Sequence, residues 1–183
     1  MRRLALLALV ALAGCGGGDA PPAAETAGAI PPAQSTPSDA RVREALRLPD
    51  RVPLHATGDA PDEEVDVVRR WLDDLRRGEI AQAAELFDLP ARFQNLGTVA
   101  IIETPAQALA VTRSLPCGAR MTDAGGANGF VVYEAELTDR PGGACGQGVG
   151  GLVRGAVLVR DGHMVEWYRL PDVSRGTGDE TVV

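Results

Sequence analysis

The chain has no lysine, only two histidines and three cysteines, and an aromatic content of 4%. Each shortage closes off a class of function. With 25 acidic side chains and a net charge of -7, no basic face is left to neutralise phosphates, which excludes nucleic acid as a partner. His55 lies in a proline-flanked stretch and His163 follows Asp161-Gly162 directly. Neither stands at metal-ligand or triad spacing, so no metal, no cofactor and no catalytic histidine is expected. Long apolar runs are also missing. The run from Leu4 to Ala13 is about ten residues, half of the roughly 20 that cross a bilayer as a helix. The lack of lysine beside abundant Ala, Gly, Arg and Pro accords with GC-rich coding and carries no mechanistic weight.

What is present begins with Met1-Arg2-Arg3, the apolar run, and then Leu12-Ala13-Gly14-Cys15 with three glycines after it. This resembles the lipobox of bacterial lipoprotein signal peptides. The resemblance implies that residues 1–14 are a cleaved signal and that Cys15 is the lipidated first residue of the mature chain. The protein is then anchored to a membrane by that lipid, on the extracytoplasmic side of the cell envelope. Without Arg2 and Arg3 the net charge falls to about -9, and the rest of the 183 residues suffices for one domain.

From Gly16 to Asp39 the composition is Gly, Ala, Pro, Thr and Ser, too poor in apolar surface to repay its ordering entropy. Residues 15–60 are therefore read as the lipidated cysteine and a flexible linker, whose ends as a coil lie about 35 to 40 Å apart. Within it Asp39 to Leu48 can form a short helix that Pro49 and Pro53 end. In an oxidising compartment Cys117 and Cys145 form an even pair, for which a disulfide is the leading reading and two buried free thiols the alternative. Closing that loop of about 29 residues stabilises the fold by roughly 3 to 4 kcal/mol on the chain-entropy view.

The folded domain is placed at 61–171, with a polar, frayed, disordered tail at 172–183. Pro61-Asp62-Glu63-Glu64 opens an amphipathic helix in which Val65, Val68, Leu72 and Leu75 recur at three- and four-residue spacing, Trp71 widens the stripe, and Gly78 ends it. A second helix spans Glu79 to Phe87, before Pro90. Thr104-Pro105-Ala106-Gln107 is a capping box that opens a third, with Ala108, Leu109, Val111 and Leu115. Three helices thus precede the strands. From Phe130 to Leu137 the period is two, with Val131, Tyr133, Ala135 and Leu137 set against Phe130, Val132, Glu134 and Glu136. A further strand runs from Val149 to Arg160, and the Asp161-Gly162 turn returns it as Met164 to Leu170.

This order, closing on Gly162-His163-Met164-Val165-Glu166-Trp167-Tyr168-Arg169-Leu170, resembles the nuclear transport factor 2-like superfamily, in particular its SnoaL-like bacterial members. The opening pair is similar in Val68-Arg69-Arg70-Trp71-Leu72 and Gly78 to Phe87. The resemblance implies an α+β, cone-shaped fold with three N-terminal helices packed on a strongly bent antiparallel sheet. Its members include isomerases, hydrolases, cyclases and non-catalytic domains, and relatives often form homodimers through the outer sheet face.

Function does not follow from the fold, so catalytic groups are sought residue by residue. The Arg and paired Asp of the epoxide-hydrolase members have no counterpart, and Tyr133 or Tyr168 with Glu134 only loosely imitates the base and acid of the ketosteroid-isomerase members. Glu134 is the best remaining base, although it shares a face with Glu136. Gly146 to Gly151 leads into a strand rather than a helix, so it cradles no phosphate and reads as a hairpin connection. Arg154, amid Leu152, Val153, Ala156 and Val157, faces either solvent or a cavity. A ligand pocket, if one persists, is walled by Trp71, Phe87, Phe93, Tyr133, Arg154 and Trp167 and takes a small apolar ligand. The expectation is a non-catalytic ligand-binding or interaction module. The alternative is a small-molecule isomerase or hydrolase, with a carboxylate base in a pocket of roughly 300 Å³ or more.

Overall fold

A computed structural model describes residues 39–172. The proposed signal segment, Cys15, the tether up to residue 38 and the tail from residue 173 lie outside the described residues. The elements follow in the order α1 Asp39–Leu46, α2 Asp62–Arg77, α3 Ile80–Glu85, β1 Phe87–Asn95, β2 Thr98–Ile102, α4 Pro105–Ser114, β3 Gly118–Ala127, β4 Phe130–Thr138, β5 Leu152–Arg160 and β6 His163–Leu170. The strands form one sheet in the order β2-β1-β6-β5-β4-β3. The class is α+β, as expected, with α2, α3 and α4 against one sheet face.

Local chemistry accounts for the helices. Three acids sit in the first turn of α2 and two arginines in its last, and Gly78 closes it in the left-handed conformation at φ 76°. Thr104 and Gln107 form the reciprocal capping box of α4. The element order departs from expectation in one respect: a hairpin, β1–β2, comes before the third helix of the domain rather than after it. Phe87 opens β1 instead of ending α3, and Phe87, Ala91 and Phe93 are buried. Pro90 lies inside the strand, where its breaker character hides the alternation, and β1 meets β6 in parallel, so the sheet is not wholly antiparallel. β3, Gly-Ala-Arg-Met-Thr-Asp-Ala-Gly-Gly-Ala, has too few large apolar residues to announce itself. Register shifts within β3/β4, β5/β6 and β1/β6 interrupt the ladders, as bulges do where a sheet bends.

The period-two reading of β4 holds. Val131, Tyr133 and Ala135 join the core under the helices, while Phe130 and Val132 belong to a second core on the opposite face with Ala156, Tyr168 and Leu170. That second core is closed by Leu48, Val52 and Leu54. The stretch assigned to flexible linker up to residue 60 is, from Asp39 onward, a strap laid over the outer face of the sheet. Its helix α1 is the one expected; its packing is not, because three isolated apolar residues among prolines carry no periodicity. Gln94, fully buried, donates to the Leu46 carbonyl at 2.5 Å, and Arg154 donates to the Leu54 carbonyl at 2.7 Å. Arg51 pairs with Glu166 at 2.7 Å. At the far end Gly126 N–H donates to the Gly58 carbonyl at 2.7 Å. A Cβ on Gly126 would lie 2.4 Å from the Asp59 carbonyl oxygen, so only glycine lets the strap approach β3 this closely.

Cys117 and Cys145 are bonded, with their Cα atoms 4.5 Å apart. The bond ties the start of β3 to the connection between β4 and β5, a hairpin loop as expected.

The strap makes a direct prediction. Leu54 is 4% exposed, so Leu54→Ala should cost about 2 to 3 kcal/mol in urea unfolding. A linker residue would change stability by less than about 0.5 kcal/mol, and that result would return the segment to the tether.

Candidate functional site

The concave face of the sheet is filled first by aromatic rings. Trp71 from α2 meets Trp167 of β6 at 5.7 Å between ring centroids and Phe87 at 6.4 Å, and Phe93 stacks on Trp167 at 4.4 Å with an interplanar angle of 15°. Offset and edge contacts of this kind are the favoured geometries of aromatic pairs. What remains beside them is a cavity of about 220 Å³. Trp71, Leu72, Leu75, Leu115, Tyr133, Leu137 and Trp167 supply its walls, with Asn95, Leu96 and Arg169 beside them.

Of the six residues expected to wall a pocket, Trp71, Tyr133 and Trp167 do so. Phe87 and Phe93 are buried in the same cluster but stand behind the cavity wall. Arg154 must be removed from the set. It pairs with Glu134 across β4 and β5, on the face away from Tyr133, with its Nε 3.4 Å from Glu134 Oε1. Arg154 faces neither solvent nor the cavity: it is 5% exposed because the strap covers it, with His55 Nδ1 at 3.4 Å. Glu134 therefore lies outside the cone, opposite to where a catalytic base would be needed. His163 caps its own turn against the Asp161 carbonyl.

One row of residues runs across the inner face. Tyr133 is paired with Gly155 and Gly155 with Arg169, on β4, β5 and β6. A Cβ on Gly155 would come within 2.5 to 2.6 Å of the tyrosine ring and its hydroxyl. The missing side chain is the space through which the Tyr133 ring crosses β5. Its hydroxyl accepts the Trp167 Nε1 proton at 3.0 Å and, among the described residues, donates to nothing. Burial raises the Tyr133 pKa to about 12, against smaller lowering effects from the Trp167 hydrogen bond and the charge of Arg169. The group is thus a neutral donor at physiological pH. Arg169 is 19% exposed at its side chain and binds Asp172 at 2.7 Å, on the rim.

Leu96 is the other residue that sequence reading passes over. It stands at φ 52° in the two-residue β1–β2 turn, 49% exposed, where asparagine or glycine would sit without strain. Arg169 was within reach of the sequence, since the period of two that puts Trp167 inside puts Arg169 inside as well. Gly155 was not, because its role depends on the strand register.

Four larger depressions, of about 310 to 390 Å³, lie elsewhere, and the two largest differ in character. One of about 390 Å³, beside Asp59, Asp62, Arg69 and Asp123, is walled largely by polar surface. Another of about 370 Å³ is an apolar groove among Ala81, Phe87, Pro105 and Leu109. Neither reaches the Tyr133–Trp167 pair.

No family model and no curated protein matches the sequence. Solved structures give distant likenesses. The chain is similar to a de novo designed protein with a curved β-sheet, at 16% identity and a TM-score of 0.48 over 62% of this chain and 88% of that one. It is similar to an NTF2-like protein of unknown function from Cytophaga hutchinsonii, at 10% identity and 0.48 over 60% and 89%. It is also similar to an LEH-like epoxide hydrolase from M. tuberculosis, at 18% identity and 0.44 over 61% and 84%. At these scores the likenesses carry no argument about activity, and the architecture rests on the described elements themselves.

Two substitutions test the site. Gly155→Ala should destabilise the domain by about 1 to 3 kcal/mol through overpacking, and most of that penalty should vanish in a Tyr133→Ala background. Equal penalties in both backgrounds would mean that the tyrosine does not cross β5. Leu96→Asn should raise stability by up to about 1 kcal/mol in urea unfolding by relieving the left-handed strain; a loss of stability would show that Leu96 is held by packing instead.

Proposed function

We propose that the domain is a small-ligand-binding module rather than an enzyme, displayed outside the cytoplasm on a lipid anchor at Cys15. One observation carries the first part. The cone cavity has apolar walls and two kinds of polar group, neutral donors or amides and a single arginine, with neither a carboxylate nor an imidazole among its lining residues. A site without a titratable base near neutrality has nothing to take up a proton from a substrate. Its volume of about 220 Å³ also falls below the range of roughly 300 to 1,000 Å³ usual for ligand clefts, so the ligand is small. The anchor is supported by the lipobox-like Leu12-Ala13-Gly14-Cys15.

Both tryptophans of the chain line the cavity, which makes their emission a reporter of occupancy. Titration with small apolar compounds should shift that emission saturably, and the compound should be recovered unchanged. A chemically altered compound would favour the isomerase or hydrolase reading. Cys15→Ala should release the protein from the membrane fraction; a variant that still sediments with membranes, with unchanged mobility, would remove the anchor.

A further inference from the structure

Resting on the reading of the cone as a binding cavity, we infer that its ligand is a small apolar carboxylate, held head-first by Arg169 and the Tyr133 hydroxyl against the Trp167 edge. Three observations converge on this class. The cavity's lining contains one charge, and it is positive, in a protein whose net charge is -7. An anion entering there meets the only cation of the lining and no acid among the lining residues.

The second observation is geometric. Tyr133, Gly155 and Arg169 form one cross-strand row, and neighbouring strands are about 4.8 Å apart. Because the tyrosine hydroxyl lies over Gly155, it has already travelled one strand toward Arg169. The hydroxyl and the guanidinium are thus adjacent donors on the same face. Tyr133 is 2% exposed and lines the cavity, and its hydroxyl has no acceptor for its own proton among the described residues, so a buried donor is left for a ligand. A carboxylate has two oxygens to accept from two such donors. Arg169 already binds Asp172, but that acid is 55% exposed at its side chain and the pair sits on the rim, where ion pairs are weak competitors.

The third is size. An apolar cavity of roughly 150 Å³ holds benzene, so about 220 Å³ accommodates on the order of eight to ten non-hydrogen atoms. The apolar body then lies along Leu72, Leu75 and Leu137 and reaches the strained, half-exposed Leu96 at the lip.

The probes are octanoate, 1-octanol and octylammonium, which share a chain and differ in head-group charge, each titrated into the full-length protein with tryptophan emission as readout. Octanoate should bind at least tenfold tighter than 1-octanol, and octylammonium weaker than both. In Arg169→Gln the ratio of octanoate to octanol should fall to within about twofold, and Tyr133→Phe should weaken octanoate several-fold while leaving octanol within twofold. If octanol or octylammonium equals octanoate on the native protein, the anion class is overturned while the binding cavity stands. If no probe shifts the emission, both this inference and the binding reading fall. The comparison of the three head groups on the native protein decides the matter even where a variant does not fold.

Discussion

The whole structure answers to one constraint: its sheet is apolar on both faces. Alternation along β4 sends Val131, Tyr133 and Ala135 one way and Phe130 and Val132 the other, and β5 and β6 repeat the division with Val157 and Trp167 against Ala156, Tyr168 and Leu170. A single layer of helices can cover only one side. The helices α2, α3 and α4 take the concave face, and the strap from α1 to Gly58 takes part of the convex one. Were that strap a free tether, Tyr168 and Leu170, both fully buried, would lose part of their cover.

Covering the concave face decides what the site can do. Trp71, Phe87, Phe93 and Trp167 fill most of the cone, and Tyr133, sent inward from β4, is accommodated by a glycine on the next strand. Its hydrogen bond to Trp167 leaves the hydroxyl proton for another acceptor. The acids of the same strand, Glu134 and Glu136, fall on the convex side by the same alternation. One rule of strand geometry therefore puts the two acids of β4 on the convex face and the Tyr133 hydroxyl on the concave one.

Much of this was legible in the sequence, where local signals are strong. The stripe of α2, the capping box of α4, the alternation of β4 and the Asp161-Gly162 turn each rest on contacts within a few residues, and each appears at the expected place. So do the Cys117–Cys145 bond and the approach of Trp71 to Trp167. The failures have a common cause. Gly125 and Gly126 leave the end of β3 without side chains where the strap passes close over it, β1 carries a proline inside its alternation, and Leu48, Val52 and Leu54 are buried by partners about 75 to 120 residues away. Nothing local marks such residues. Arg154 was misplaced for the same reason: its surroundings belong to the strap.

The cone holds one small apolar cavity with no acid among its lining residues. A crystal structure of the protein under xenon pressure tests it most directly, since apolar cavities stay dry and take up xenon. A xenon atom is expected among Trp71, Leu75 and Trp167, with Glu134 on the far face of the sheet against Arg154. A cavity without xenon, or one into which the Glu134 carboxylate has turned, would contradict it.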